Sequence, residues 1–192
     1  MKTGIIVIVV LVLLGMFGCG KYNGLVTKDE NVKNKWGVVQ SSYQRRADLI
    51  PNLVATVKGA ANFETETLEK VIQARASATQ IKVDASDLSP EKIQQYQAAQ
   101  GQLSQALGRL LAVSESYPDL KANANFQNLQ AQLEGTENRI NVARNDFNEA
   151  VNGYNSSVRA FPTNIVAGIA GFKQKGYFEA AAGAENAPQV KF

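Results

Sequence analysis

Residues 123–162 read NANFQNLQAQLEGTENRINVARNDFNEAVNGYNSSVRAFP, and their spacing decides the fold. Phe126, Leu129, Leu133, Thr136, Ile140, Ala143, Phe147, Val151, Tyr154, Val158 and Phe161 recur at intervals of three and four. That is the period of an α-helix with one continuous apolar seam, of the kind that packs against other helices. Pro162 ends the seam, and Tyr117-Pro118 with Asn123 marks its entrance, because proline stops a helix and asparagine caps one.

Working outward, the same period recurs. Ser89-Pro90-Glu91 is a helix start with proline at the first helical position, and Ile93, Tyr96, Leu103, Leu107, Leu110 and Tyr117 follow as its buried stripe. Val54, Val57, Ala61, Leu68, Val71 and Ala78 form another stripe, and Trp36, Val39, Tyr43 and Ala47 a further one. The short polar linker at 82–88 makes its neighbouring helices antiparallel. The expected architecture is all-α: an up-and-down helical bundle of three to four long helices over residues 22–172, behind a single amino-terminal transmembrane helix. From Lys173 to Phe192 no helical period is sustained, and a poorly ordered carboxyl-terminal tail is expected.

The anchor is the run GIIVIVVLVLLGMFGCG, residues 4–20, uncharged and preceded only by MKT. It assigns residues 1–21 to the membrane, at the lower limit for a hydrocarbon core of about 30 Å. A retained anchor is the favoured reading. A lipid-modified Cys19 and a cleaved signal peptide compete with it, although Met16 and Phe17 fit a lipoprotein signal poorly. Lys21, Lys28, Lys33 and Lys35 crowd the far side of the run, so the positive-inside count leans toward a cytoplasmic bundle, whereas a lipidated Cys19 implies the opposite face.

Composition narrows the chemistry. The 192 residues include no histidine and one cysteine, which removes most nucleophile, general-base and soft-metal arrangements. No phosphate-binding glycine loop is present, and a net charge of +3 spread along the chain does not make a nucleic-acid surface. No cofactor and no catalytic activity are expected; a hydrolase working through carboxylates alone is the weakest of the readings.

The charged residues near the apolar stripes are the candidate site. Arg46 follows Tyr43 by three, on or beside the stripe, and Asp48 lies just beyond it. A buried guanidinium without a partner is costly, so Arg46 either reaches water or meets a carboxylate. Glu64 and Arg75, eleven apart, and Glu137 and Arg144, seven apart, have matching helical phase, and Glu115 lies by a turn at a bundle end. Two readings stay open: a buried polar network fixing helix register or holding a polar ligand, and ordinary solvated charges. Pro51 breaks the helical pattern by a kink or by a reversal of direction, while the apolar phase carries across it.

Several strings carry a resemblance: YNGLV (22–26), YQRRADLIPNLV (43–54), ESYPDLKANANFQNLQ (115–130), GTENRINVARNDFNEAV (135–151), YNSSVRAFP (154–162) and the closing GYFEAAAGAENAPQVKF. In order and spacing they resemble the bacterial LemA family. The resemblance implies a single amino-terminal membrane helix followed by an all-helical bundle, with no need of Cys19 and no established enzymatic activity. The functional expectation is a membrane-anchored interaction or scaffold protein, held to the bilayer by residues 4–20 and meeting a protein partner, in one version through the tail ending PQVKF. A sensor bundle with a polar inter-helix site is the alternative, and side-by-side pairing of chains is open.

Overall fold

Six helices in chain order are found among residues 2–59 and 64–179, which the computed structural model describes. They are α1 (Lys2–Lys58), α2 (Thr65–Gln80), α3 (Pro90–Ser114), α4 (Pro118–Lys121), α5 (Ala124–Arg159) and α6 (Thr163–Ala170). No strand occurs among the described residues. α1, α2, α3 and α5 form the up-and-down bundle; α4 and α6 are short turns at its two ends.

The longest element joins two parts of the sequence. α1 carries the apolar run and continues without interruption into the bundle, 57 residues in all. In its bundle half Val32, Trp36, Val39, Tyr43, Arg46, Ile50, Leu53 and Val57 are buried at alternating steps of four and three, with Ala47 and Val54 buried beside them. α5 packs antiparallel on this seam, with Lys28 donating to the Gly153 carbonyl at 3.1 Å, Lys35 pairing with Asp146 at 2.7 Å and Arg46 with Glu137 at 2.9 Å. The seam of α5 is buried at Phe126, Leu133, Thr136, Ile140, Ala143, Phe147, Val151 and Tyr154, whereas Phe161, beyond the helix end, is exposed. Asn123 caps α5, accepting from the backbone of Asn125 at 2.9 Å and Phe126 at 3.3 Å.

Pro51 neither reverses the chain nor ends the helix: α1 runs through it to Lys58 and α2 starts at Thr65, so the stripe read from Val54 to Ala78 is divided between two helices. Ala61 of that stripe lies outside the described residues. The physical reason concerns one carbonyl. Proline lacks the N–H that would bond the Ala47 oxygen one turn back. Arg75 of α2 supplies the missing donor, its Nε lying 2.8 Å from that oxygen. Pro118 opens α4 after α3 has ended, and Pro162 lies between α5 and α6.

The core divides in two along the bundle. On the anchor side Trp36, Tyr43, Tyr96, Phe147, Tyr154 and Phe178 pack with Val83, Leu88 and Ile93. Toward the far end Ile50, Leu53, Val57, Leu68, Val71, Leu103, Leu110, Leu120 and Phe126 form a second, mainly aliphatic cluster. Phe178 comes from the segment expected to be a loose tail. Gly171, at φ 77°, ends α6 in the left-handed conformation that glycine adopts without strain. Residues 172–179 then run back along the bundle as an extended strap and fill part of the space between α3 and α5. Burial of Phe178 alone contributes about 2 kcal/mol. The tail expectation is therefore corrected for 173–179; PQVKF lies outside the described residues.

Candidate binding groove

At the boundary of the two core clusters, one polar layer crosses the bundle. Arg46 occupies a seam position of α1 and is only 2% exposed. Its Nη1 donates to Ser104 Oγ at 2.7 Å and to Glu137 Oε2 at 2.9 Å, and its Nη2 donates to the Gln100 side-chain oxygen at 2.8 Å and carbonyl at 3.2 Å. One guanidinium from α1 thus holds α3 and α5 together. Gln100 in turn donates to the Ala78 carbonyl of α2 at 3.3 Å, so all four long helices join the layer. The Arg46 Nε is buried without a hydrogen-bond partner.

The groove between α3 and α5 opens on either side of that bridge. Toward the far end it is apolar, about 450 Å³, lined by Leu107, Leu111 and Leu133 with Gln130, Glu134 and Glu137 at the rim. Toward the anchor it is larger and amide-rich, with Gln94, Gln97, Gly101 and Gln105 on α3 facing Arg144 and the strap.

The strap is read through its backbone. Asn155 of α5 both donates to the Lys175 carbonyl at 2.8 Å and accepts from the Lys175 amide at 2.9 Å. Asn148 does the same for Phe178, at 2.8 and 2.9 Å, and Gln97 of α3 for Glu179, at 2.8 and 3.0 Å. Three side-chain amides act as a strand would, satisfying the N–H and C=O of a residue together. Between them the Gly176 amide donates to the Leu88 carbonyl at 2.9 Å, and a Cβ on Gly176 would stand 2.7 Å from Pro90 Cα, so this approach requires glycine. The strap runs antiparallel to α5, from Asn155 toward Arg144, and parallel to α3. At Glu179, its last described residue, it points along the groove toward the Arg46 bridge.

Near the anchor a charged cluster pins the start of the strap. Lys175 and Asp29 of α1 pair at 2.8 Å, both mostly buried, and Lys33 reaches Asp29 at 2.8 Å. Burial pulls the Asp29 carboxyl upward, but hydrogen bonds from Lys175 and Lys33 outweigh it and hold the group below its ordinary value. Lys33 is pushed up by its bonds to Asp29 and Glu30. The Tyr154 hydroxyl, buried and near Asp29, is raised to about 12 and donates to the Lys173 carbonyl at 3.0 Å.

With this geometry in place, relatives are informative. The sequence profile of the LemA family matches residues 35–192, most of the chain. The chain belongs to the LemA family. It is 28% identical to Protein LemA of Metamycoplasma hominis over 121 residues, 63% of this chain and 52% of that one. It is also 28% identical to Magnetosome protein MamQ 2 of Paramagnetospirillum magneticum over 180 residues, covering 83% and 65%. With Magnetosome protein MamQ of Magnetospirillum gryphiswaldense the identity is 28% over 179 residues, covering 82% and 64%. The chain spans about half to two thirds of the length of these curated relatives. It is a membrane-associated helical protein.

In this LemA-family chain only part of the expected network assembles. Arg46 and Glu137 pair in the central layer, while Arg144 goes to the strap, donating to the Glu179 carbonyl at 2.9 Å with its guanidinium 4.9 Å from the Phe178 ring centre. Arg75 bonds Ala47 rather than Glu64. Glu64 instead precedes α2 and accepts from the Thr67 hydroxyl at 3.0 Å. Asp48 accepts from Gln44 on the surface at 2.7 Å, and Glu115 pairs with Lys121 on the surface. Cys19 is exposed on α1. Gln97, Gln100, Ser104, Asn148, Asn155, Asp29 and Lys175 were missed. The signal available was the seven-residue spacing of Asn148 and Asn155 beside the seam residues Phe147 and Tyr154.

Proposed function

We propose that the protein is a membrane-anchored interaction module: residues 4–20 cross the bilayer, and the groove between α3 and α5 receives an extended peptide segment. One observation carries this reading. The three paired side-chain amides at Asn155, Asn148 and Gln97 bind backbone groups rather than particular side chains, and the chain's own strap is already held this way. The groove beyond Glu179 continues with glutamines, then Arg46, then an apolar floor, which suits a further stretch of extended chain. No catalytic step belongs to this reading.

A photo-reactive residue in place of Gln105, on the part of the groove that no described residue fills, tests it in the full-length protein in its membrane. Adducts joining this position to a segment of another protein are expected, well above those from a matching probe at Val142 on the outer face of α5. Equal yields at the two positions, or adducts only to this chain's own residues, would sink the reading.

The unpaired Arg46 Nε favours a second reading, a small anionic or carbonyl ligand seated at the bridge. Thermal-shift titration with carboxylic acids separates the two: the ligand reading requires stabilisation that disappears in Arg46→Met, and the peptide reading does not.

A further inference from the structure

α6 presents an apolar stripe that the bundle does not cover. Phe161 just before the helix and Ile165 and Ile169 within it are 81%, 54% and 85% exposed, and the spacing of four puts the two isoleucines on one side of α6. The opposite side is spent on packing, with Ala167 buried against the bundle. Large side chains this exposed, two on one side of a helix of eight residues and a third just before it, call for a partner surface.

The position of α6 says which surface. α6 packs on both α1 and α5. Phe172, whose amide donates to the Ala167 carbonyl at 3.0 Å, sets its ring 5.7 Å from that of Tyr22. On α1 near Tyr22, Gly18 and Lys21 are less exposed than their immediate neighbours and Leu25 is buried. α6 therefore stands beside the turn where the apolar run ends at Gly20 and the bundle begins. Seventeen residues at 1.5 Å each give the run a length of about 26 Å, short of a hydrocarbon core of about 30 Å. A bilayer crossed by residues 4–20 consequently reaches the level of α6. Lys21, Lys28, Arg159 and Lys173 surround the same end of the molecule, where anionic headgroups would meet them.

Resting on the reading of residues 4–20 as a membrane span, we propose that α6 is a second membrane contact, a short interfacial helix whose Phe161, Ile165 and Ile169 enter the boundary between headgroups and acyl chains. The bundle is then held to the bilayer at two adjacent points, by the span of α1 and by the side of α6, so it cannot swivel freely about α1.

Depth-dependent fluorescence quenching tests this on the full-length protein in phosphatidylcholine–phosphatidylglycerol vesicles containing a lipid spin-labelled either near its headgroup or deep in its acyl chain. In a Cys19→Ser background, one environment-sensitive fluorophore is attached at Ile169→Cys, at Leu11→Cys in the span, or at Val142→Cys, whose native side chain is 61% exposed on the distant part of α5. The expected result is at least a twofold greater lipid quenching at 169 than at 142, with iodide in the buffer quenching 142 far more than 169. If 11 is quenched by lipid and 169 behaves like 142, the α6 contact is wrong and the span stands. If 169 is shielded from both quenchers, protein covers the stripe and the proposal is again overturned. If 11 itself escapes lipid quenching, the span fails and the proposal with it.

Discussion

Pro51 survives in the middle of α1 because a residue on another helix completes the hydrogen bond it cannot make. The arrangement makes Arg75 and Pro51 energetically coupled. Arg75→Met removes the donor and leaves the Ala47 carbonyl unsatisfied, which costs about 1–3 kcal/mol. With Pro51→Ala in place, the restored amide bonds Ala47 directly and Arg75→Met should cost less. Urea unfolding of the four proteins of this cycle is expected to show a coupling of about 1 kcal/mol; additive effects would contradict the role given to Arg75. Arg46 is a different case. A cation at a seam position tolerates burial only because three neighbouring side chains answer it, and the layer they form joins α1 to α3 and α5.

At the level of elements, the strap depends on its pin to α1. Asp29 has its carboxyl held below the ordinary 3.8 in the folded chain, so the unfolded chain takes up that proton more readily. Its contribution is complete above about pH 5 and is lost as the pH falls through 3.8 toward the lowered folded value. The unfolding midpoint of the wild type should therefore drop more steeply than that of Asp29→Asn between about pH 5 and pH 3, the two converging in acid. Parallel curves would show that the Lys175–Asp29 pair does not secure the strap. This element also marks where sequence reasoning stopped. The seams of α3 and α5 were legible because neighbouring residues on one helix set the period, and the phase kept across Pro51 was a true sign of continuity. The strap has no period of its own. Its order comes from Gln97, 82 residues away from Glu179, and from Asn148, 30 residues away from Phe178, and local spacing carries no trace of such pairings. Arg46 was legible as a residue on the stripe, but its partners Gln100 and Ser104 lie on a helix whose rotation against α1 the sequence leaves undetermined.

For the whole molecule, the continuity of α1 matters most. One helix of 57 residues, about 85 Å at 1.5 Å per residue, carries both the apolar run and the first seam of the bundle, so no flexible linker separates membrane from groove. Side-chain amides hold the chain's own strap in the groove as extended backbone, and on the proposed reading a partner segment is held the same way. Amide hydrogen exchange of residues 172–179 in the membrane-embedded protein tests that claim most directly. The amides of Lys175, Gly176, Phe178 and Glu179 each donate to a bonded oxygen, and they should exchange at least about a hundredfold more slowly than in a free peptide of the same sequence. Exchange of these four amides at the free-peptide rate would mean that the side-chain amides do not hold the strap, and the groove would lose its claim to bind extended chain.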